Sequence, residues 1–115
     1  MEVAIVSQSL NNIFHTGQSA FELLQQSDKP ILVKFVAPHC SSCITLKPVL
    51  EKLVREQSGS LHLVEIDMTE ATEMAMNLEV RSAPTVVMFK HQQELGRLVG
   101  LKPKKQYADM VQQAL

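Results

Sequence analysis

"PILVKFVAPHCSSCITLKPVLEKLVREQSG", residues 30 to 59, specifies the centre of the fold more fully than any other stretch of this chain. Pro30 to Val36 is an apolar, β-branched run that reads as a strand buried on both faces, the pattern of a parallel sheet covered by helices. From Cys40 onward, Leu46, Val49, Leu50, Leu53 and Val54 recur at helical spacing, and Gly59 closes the segment. A second apolar run, Leu61 to Ile66, follows directly, so strand, helix and strand make a βαβ unit. Pro48 lies inside the helix, where its missing N–H predicts a kink that the helix survives.

On the N-terminal side, "IFHTG" reads as a short strand and "SAFELLQQSDK" as a first helix with Ser19 as candidate cap. On the other side, "TEATEMAMNLEV" reads as a helix capped by Thr69 with Met74, Ala75 and Leu78 inside. "PTVVMFK" and "LGRLVG" form an antiparallel hairpin around the polar "HQQE". "KPKKQYADMVQQAL" sets Tyr107, Met110, Val111 and Leu115 on the inner side of a closing helix. Residues 1 to 10 read as an extra edge strand or a tail. The fold class is α/β, and residues 1 to 115 are expected to form a single domain.

With 115 residues, 45% of them hydrophobic, the chain is long enough for one core. A formal charge of −1 and a pI near 6.4 provide no basic face, so neither nucleic acid nor an anionic membrane is an expected partner. The opening "MEVAIVSQSLNN" lacks the basic and apolar pattern of a signal peptide, and no apolar run approaches a bilayer span. A cytoplasmic setting is therefore expected. In that reducing environment a close cysteine pair is catalytic or metal-binding rather than a scaffold.

Both cysteines lie in "HCSSC". A helix starting at or beside Cys40 puts the first sulfur where unpaired amides and the macrodipole favour an anion. Cys43, one turn further in, is close enough to reach it and more shielded. Such a pair attacks a substrate disulfide, holds a mixed disulfide and releases it by internal attack. A zinc site would need four ligands, and His15, His39, His62 and His91 show no ligand spacing, so no metal is expected. Two inert packed thiols are the remaining alternative. Their place in a loop-to-helix turn argues against it.

The order of these features resembles the thioredoxin family over nearly the whole chain, from about Asn12 onward. The resemblance rests on the strand-loop-helix with "CSSC", the helix proline Pro48, the strand ending in Asp67, "APT" before the hairpin, and Gly100 before the last helix. It implies the thioredoxin fold, a central mixed sheet of roughly four to five strands flanked by helices on both faces. It also implies a protein-disulfide reductase in which Cys40 is the nucleophile and Cys43 the resolving thiol. Ala83 and Pro84, joined by a cis bond, would hold the substrate backbone. The implied partners are protein disulfides and a thioredoxin-reductase-type electron donor. A thioredoxin-fold module that only docks a partner, without redox turnover, is the rival reading.

Departures from the family pattern are equally informative. Where thioredoxins carry "WCGPC" this chain has "HCSSC", and an earlier tryptophan position is Val36. His39, Ser41 and Ser42 are thus expected to tune the site. The family's buried acid beneath the cysteines corresponds to Lys34 and its partner lysine to Leu63. Lys34 is expected either to snorkel to a wet edge or to stay by the pair, where as a cation it favours the Cys43 thiolate and as a neutral amine it accepts the Cys43 proton. The missing tryptophan, "APHC" and the ending "VGLKPKKQYADMVQQAL" are similar to the thioredoxin domain fused to plastid and cyanobacterial NADPH-dependent thioredoxin reductases, which would place the chain in the plastid stroma. No G-x-G-x-x-G fingerprint is present, and no cofactor is expected. Glu65 reads as facing water at a strand end, Met68, Met74 and Met76 as core and surface filler, and residues 102 to 105 as a solvated helix start. His15, His62 and His91 are assigned no role.

Overall fold

The computed structural model describes residues 13–115; the edge strand or tail expected over residues 1 to 10 lies outside the described residues. Strands β1 (Phe14–Thr16), β2 (Ile31–Val36), β3 (His62–Asp67), β4 (Thr85–Lys90) and β5 (Gln93–Val99) form one sheet in the order β1-β3-β2-β4-β5. Helices α1 (Gln18–Leu24), α2 (Ser41–Arg55), α3 (Thr72–Asn77) and α4 (Lys104–Ala114) connect and cover it. β1, β3 and β2 run parallel, whereas β4 opposes β2 and β5 opposes β4, so the sheet is mixed. α2 runs unbroken through Pro48.

Strand alternation divides the core between the two faces of the sheet. Leu32, Leu63, Val86 and Met88 pack with Leu46, Leu50 and Val54 of α2 and with Tyr107 and Val111 of α4. Ile31, Val33, Phe35, Val64 and Ile66 pack with Phe21 of α1 and with Met74 and Ala75 of α3. Lys34 shares the parity of Leu32, and Glu65 that of Leu63. Both therefore point to the face covered by α2.

Four local expectations change. α1 is capped by Gly17 at φ 97°, with no side-chain bond, so Ser19 already lies in the first turn. Glycine makes the sharp exit from β1 that another residue would resist. α3 starts after Ala71. Thr69 instead donates its N–H (2.8 Å) and Oγ–H (2.6 Å) to Asp67 Oδ1, closing a turn at the end of β3. The hairpin turn narrows to His91 and Gln92, with φ 52° and 66°, and Gln93 and Glu94 join β5. Positive φ at both central residues matches the twist of the flanking strands, even without Asn or Gly there. Leu115 is 47% exposed, and Ala114 takes the inner position in line with Tyr107 and Val111. The methionines divide as filler would: Met74 is buried, Met68 half-buried and Met76 exposed.

Candidate active site

The chain leaves β2 at Val36 and enters α2 at Ser41, so the segment between them must turn within a few residues. His39 adopts φ 60°, a left-handed conformation that non-glycine residues occupy sparingly. Cys40 then takes an extended conformation as the N-cap of α2. The Cys43 N–H donates to Cys40 Sγ at 3.2 Å, so one of the unpaired amides of the first turn is directed at sulfur. Cys40 and Cys43 are joined by a disulfide with Cα atoms 5.3 Å apart. Cys43 is 6% exposed, whereas Cys40 is only half-buried. When the pair is reduced, the amide and the helix dipole favour negative charge on Cys40.

Antiparallel pairing brings a second segment to this end of the sheet. Phe35 opposes Thr85 and Thr85 opposes Val99, so the start of β4 and the end of β5 lie beside the exit of β2. The Ala83–Pro84 peptide bond is cis. Gly100, at φ 81°, donates its N–H to the Pro84 carbonyl at 2.8 Å. Thr85 Oγ1 donates to the Ser82 carbonyl at 2.7 Å. Behind them the buried Tyr107 hydroxyl donates to the Gly100 carbonyl (3.2 Å) and accepts the Lys102 N–H (3.1 Å). Burial raises the Tyr107 pKa, keeping the phenol protonated as a donor.

Below the cysteines, Lys34 takes one of its expected alternatives, burial by the pair, and gains a partner in Glu65 that the sequence reading did not supply. The parallel register sets Lys34 opposite Glu65, and Lys34 Nζ lies 3.0 Å from Glu65 Oε1. Lys34 neither snorkels into solvent nor stands alone: it is 2% exposed and ion-paired. Glu65, expected to face only water, is its partner, with its side chain 36% exposed. A cavity of about 220 Å³ is lined by this pair together with His39, Cys40, Cys43 and Lys47. His39 and Ser41 are exposed, and Ser42 is half-buried between the cysteines.

The family described as Thioredoxin matches residues 12–113. This chain belongs to the thioredoxin family. The Arabidopsis thaliana protein named NADPH-dependent thioredoxin reductase 3 is 38% identical over 85% of the chain, which spans only 19% of that longer relative. The Haemophilus influenzae thioredoxin is 32% identical, with 90% of this chain and 98% of that protein covered. Among solved structures, a mutant thioredoxin from Halobacterium salinarum superposes with a TM-score of 0.78 at 27% identity, covering 91% of each chain. The five-stranded mixed sheet is the thioredoxin fold. In a thioredoxin, a cysteine pair at C-x-x-C spacing carries thiol–disulfide oxidoreductase chemistry.

Two further groupings in this thioredoxin-family chain escape sequence reasoning. His15 and His62, assigned to no constellation, meet where β1 pairs with β3, with Nε2 and Nδ1 3.0 Å apart. Arg97 donates to both carboxylate oxygens of Glu94 at 2.7 Å and to the Leu78 carbonyl at 2.8 Å. That guanidinium satisfies the C-terminal end of α3 from a neighbouring strand. Its charge-assisted bonds hold the Glu94 carboxyl below its ordinary pKa. Among the described residues no group of three His, Cys, Asp or Glu side chains could hold a metal ion. No helix among them is long and apolar enough to cross a membrane.

Proposed function

We propose that this chain acts as a single domain, residues 1 to 115, that takes electrons from a thioredoxin-reductase-type donor and passes them to protein disulfides. The observation that carries this reading is the asymmetric cysteine pair, with a half-buried Cys40 capping α2 and a buried Cys43 one turn inside. Cys40 attacks the substrate disulfide and becomes half of a mixed disulfide. Cys43 then attacks Cys40, and the substrate leaves as a dithiol while the Cys40–Cys43 bond forms. Two electrons move to the substrate, and no bound cofactor is required.

Ala83 and Pro84 present backbone to an extended substrate segment, a role supported by the Gly100 bond that fixes Pro84 at the cysteine end of the sheet. His39, Ser41 and Ser42 shape the rim around Cys40, in place of the aromatic and Gly-Pro residues of other thioredoxins. Lys34 tunes the pair from below. The similarity to a much longer thioredoxin reductase, of which the chain spans 19%, supports a donor domain of that kind, separate or fused. The chain then works in a reducing compartment, the cytoplasm or the plastid stroma, without nucleic-acid or membrane partners.

Insulin reduction tests the proposal. Turnover above the dithiothreitol background, lost in Cys40→Ser, is the expected result. Background rates with both thiols intact would leave a thioredoxin-fold docking module instead.

A further inference from the structure

The cavity beside the cysteines has a neighbour across the Lys34–Glu65 pair. A second cavity of about 120 Å³ lies against β1 and is lined by His15, Thr16 and Glu51, and also by Lys34, Lys47 and Glu65. The two spaces thus share the Lys34–Glu65 pair and Lys47 as common wall. Each is large enough for water, which occupies about 30 Å³ per molecule in the liquid. Both spaces thus give onto the Lys34–Glu65 pair, one on the side of the cysteines and the other on the side of β1.

Resolution of a mixed disulfide needs a proton acceptor near Cys43. Cys43 is buried, and only its thiolate attacks, so a proton must leave before the second step. Besides the cysteines, the titratable side chains lining the space beside Cys43 come from four elements: Lys34 of β2, Glu65 of β3, Lys47 of α2, and His39 of the loop. Lys34, in an ion pair, and Lys47 offer N–H donors and no lone pair. His39 adjoins Cys40 and is exposed, so it exchanges directly with bulk solvent. Glu65 is the carboxylate in this space, and it lines both cavities.

We infer that Glu65, held in place by Lys34, accepts the Cys43 proton through cavity water and releases it by way of the second cavity at the β1 edge. This role rests on the redox function proposed above. Cys43 loses its proton to the Glu65 carboxylate. The Cys43 thiolate attacks Cys40 Sγ, the Cys40–Cys43 bond forms, the Cys40–substrate bond breaks, and the substrate sulfur leaves with the electron pair. Glu65 then returns the proton to water. The carboxylate thus comes from β3, whereas the position of the family's acid on β2 carries the cation that anchors it. Lys34 is a positioning residue and Glu65 the proton acceptor.

Stopped-flow reaction of the reduced protein with 5,5′-dithiobis(2-nitrobenzoate) separates the two steps. A concentration-dependent first phase reports attack by Cys40, and a concentration-independent second phase reports resolution by Cys43. In Glu65→Gln the first phase is expected to stay within about twofold, while the second slows on the order of a hundredfold near neutral pH. The deficit should close as hydroxide takes over toward about pH 9. The double variant Lys34→Glu with Glu65→Lys, which returns a carboxylate to the same space, should recover most of the second phase. A folded Glu65→Gln protein with the wild-type second phase and pH profile overturns the assignment, as does a double variant as slow as Glu65→Gln. Absence of the first phase in the wild type would instead defeat the redox reading itself.

Discussion

Lys34–Glu65 and Arg97–Glu94 are both cation–carboxylate pairs within the sheet, and they serve different ends. Arg97 makes a fork onto Glu94 and reaches on to the Leu78 carbonyl, tying β5 to the end of α3. Its side chain is 28% exposed, so it keeps more of its hydration than the buried Lys34 does. Lys34 is fully buried, and its ammonium lies 3.0 Å from a half-wet Glu65. A single contact of that kind is an inefficient way to stabilise a buried ammonium. The pair on β5 fastens structure, whereas the pair across β2 and β3 keeps charge beside the cysteines.

Removing the cysteine chemistry altogether has the largest effect, since it leaves the charge at Lys34 and Glu65 nothing to act on. Cys43→Ser should reduce insulin at the background rate and accumulate mixed disulfides through Cys40, visible on non-reducing gels. Cys40→Ser should be equally inactive and trap nothing, because Cys43 is shielded. Trapping by the Cys40 variant alone would exchange the two roles. Next, Lys34→Met should leave a folded protein whose release of mixed disulfides is about tenfold slower and whose resolution is shifted in pH, since Glu65 loses its anchor. Unchanged resolution across about pH 6 to about pH 9 would confine Lys34 to structure.

Arg97→Ala should do the opposite. It should cost about 1 to 2 kcal/mol of stability, read as a lowered melting temperature, with exchange rates intact. The effect also depends on pH. Because the bonds from Arg97 hold the folded-state Glu94 pKa below its ordinary 4.5, the pair's contribution is present above that value and lost as pH falls through the depressed one. The stability gap between wild type and Arg97→Ala should therefore be full at neutral pH and shrink in acid. A gap that grows in acid would contradict the pairing. The smallest effect is expected at the rim: His39→Trp should make the Cys40–Cys43 couple more reducing against glutathione by a fewfold, because an imidazolium beside Cys40 favours the thiolate. An unmoved equilibrium would leave His39 as a contact surface only.

Which of these residues are legible in the sequence follows from the range of the forces involved. Strand β2, helix α2 and the cysteine pair are legible because each is a local pattern: a β-branched run, a repeat of helical spacing, and two thiols one turn apart. Ser19 and Thr69 are not the caps that their positions suggest, because Gly17 and the Asp67 turn compete for the same few backbone amides. A serine or threonine near a helix start does not announce which neighbour wins. The hairpin is legible as a hairpin, but its turn residues are not, since the twist of β4 and β5 governs where φ becomes positive.

Spacing along the chain, which folding leaves unchanged, is enough to set the order of strands and helices, the alternation that sends Lys34 to the face opposite Val33 and Phe35, and the placing of Cys40 at a helix start. It does not reach the contacts made across the sheet. That Glu65 answers Lys34, that His15 meets His62, that Arg97 closes α3, and that Gly100 holds Pro84 beside the cysteine loop are settled by tertiary packing. Each of those contacts joins residues far apart in sequence through strand register. A shift of one residue would send every one of the strand side chains concerned to the other face, so no local pattern could have specified them.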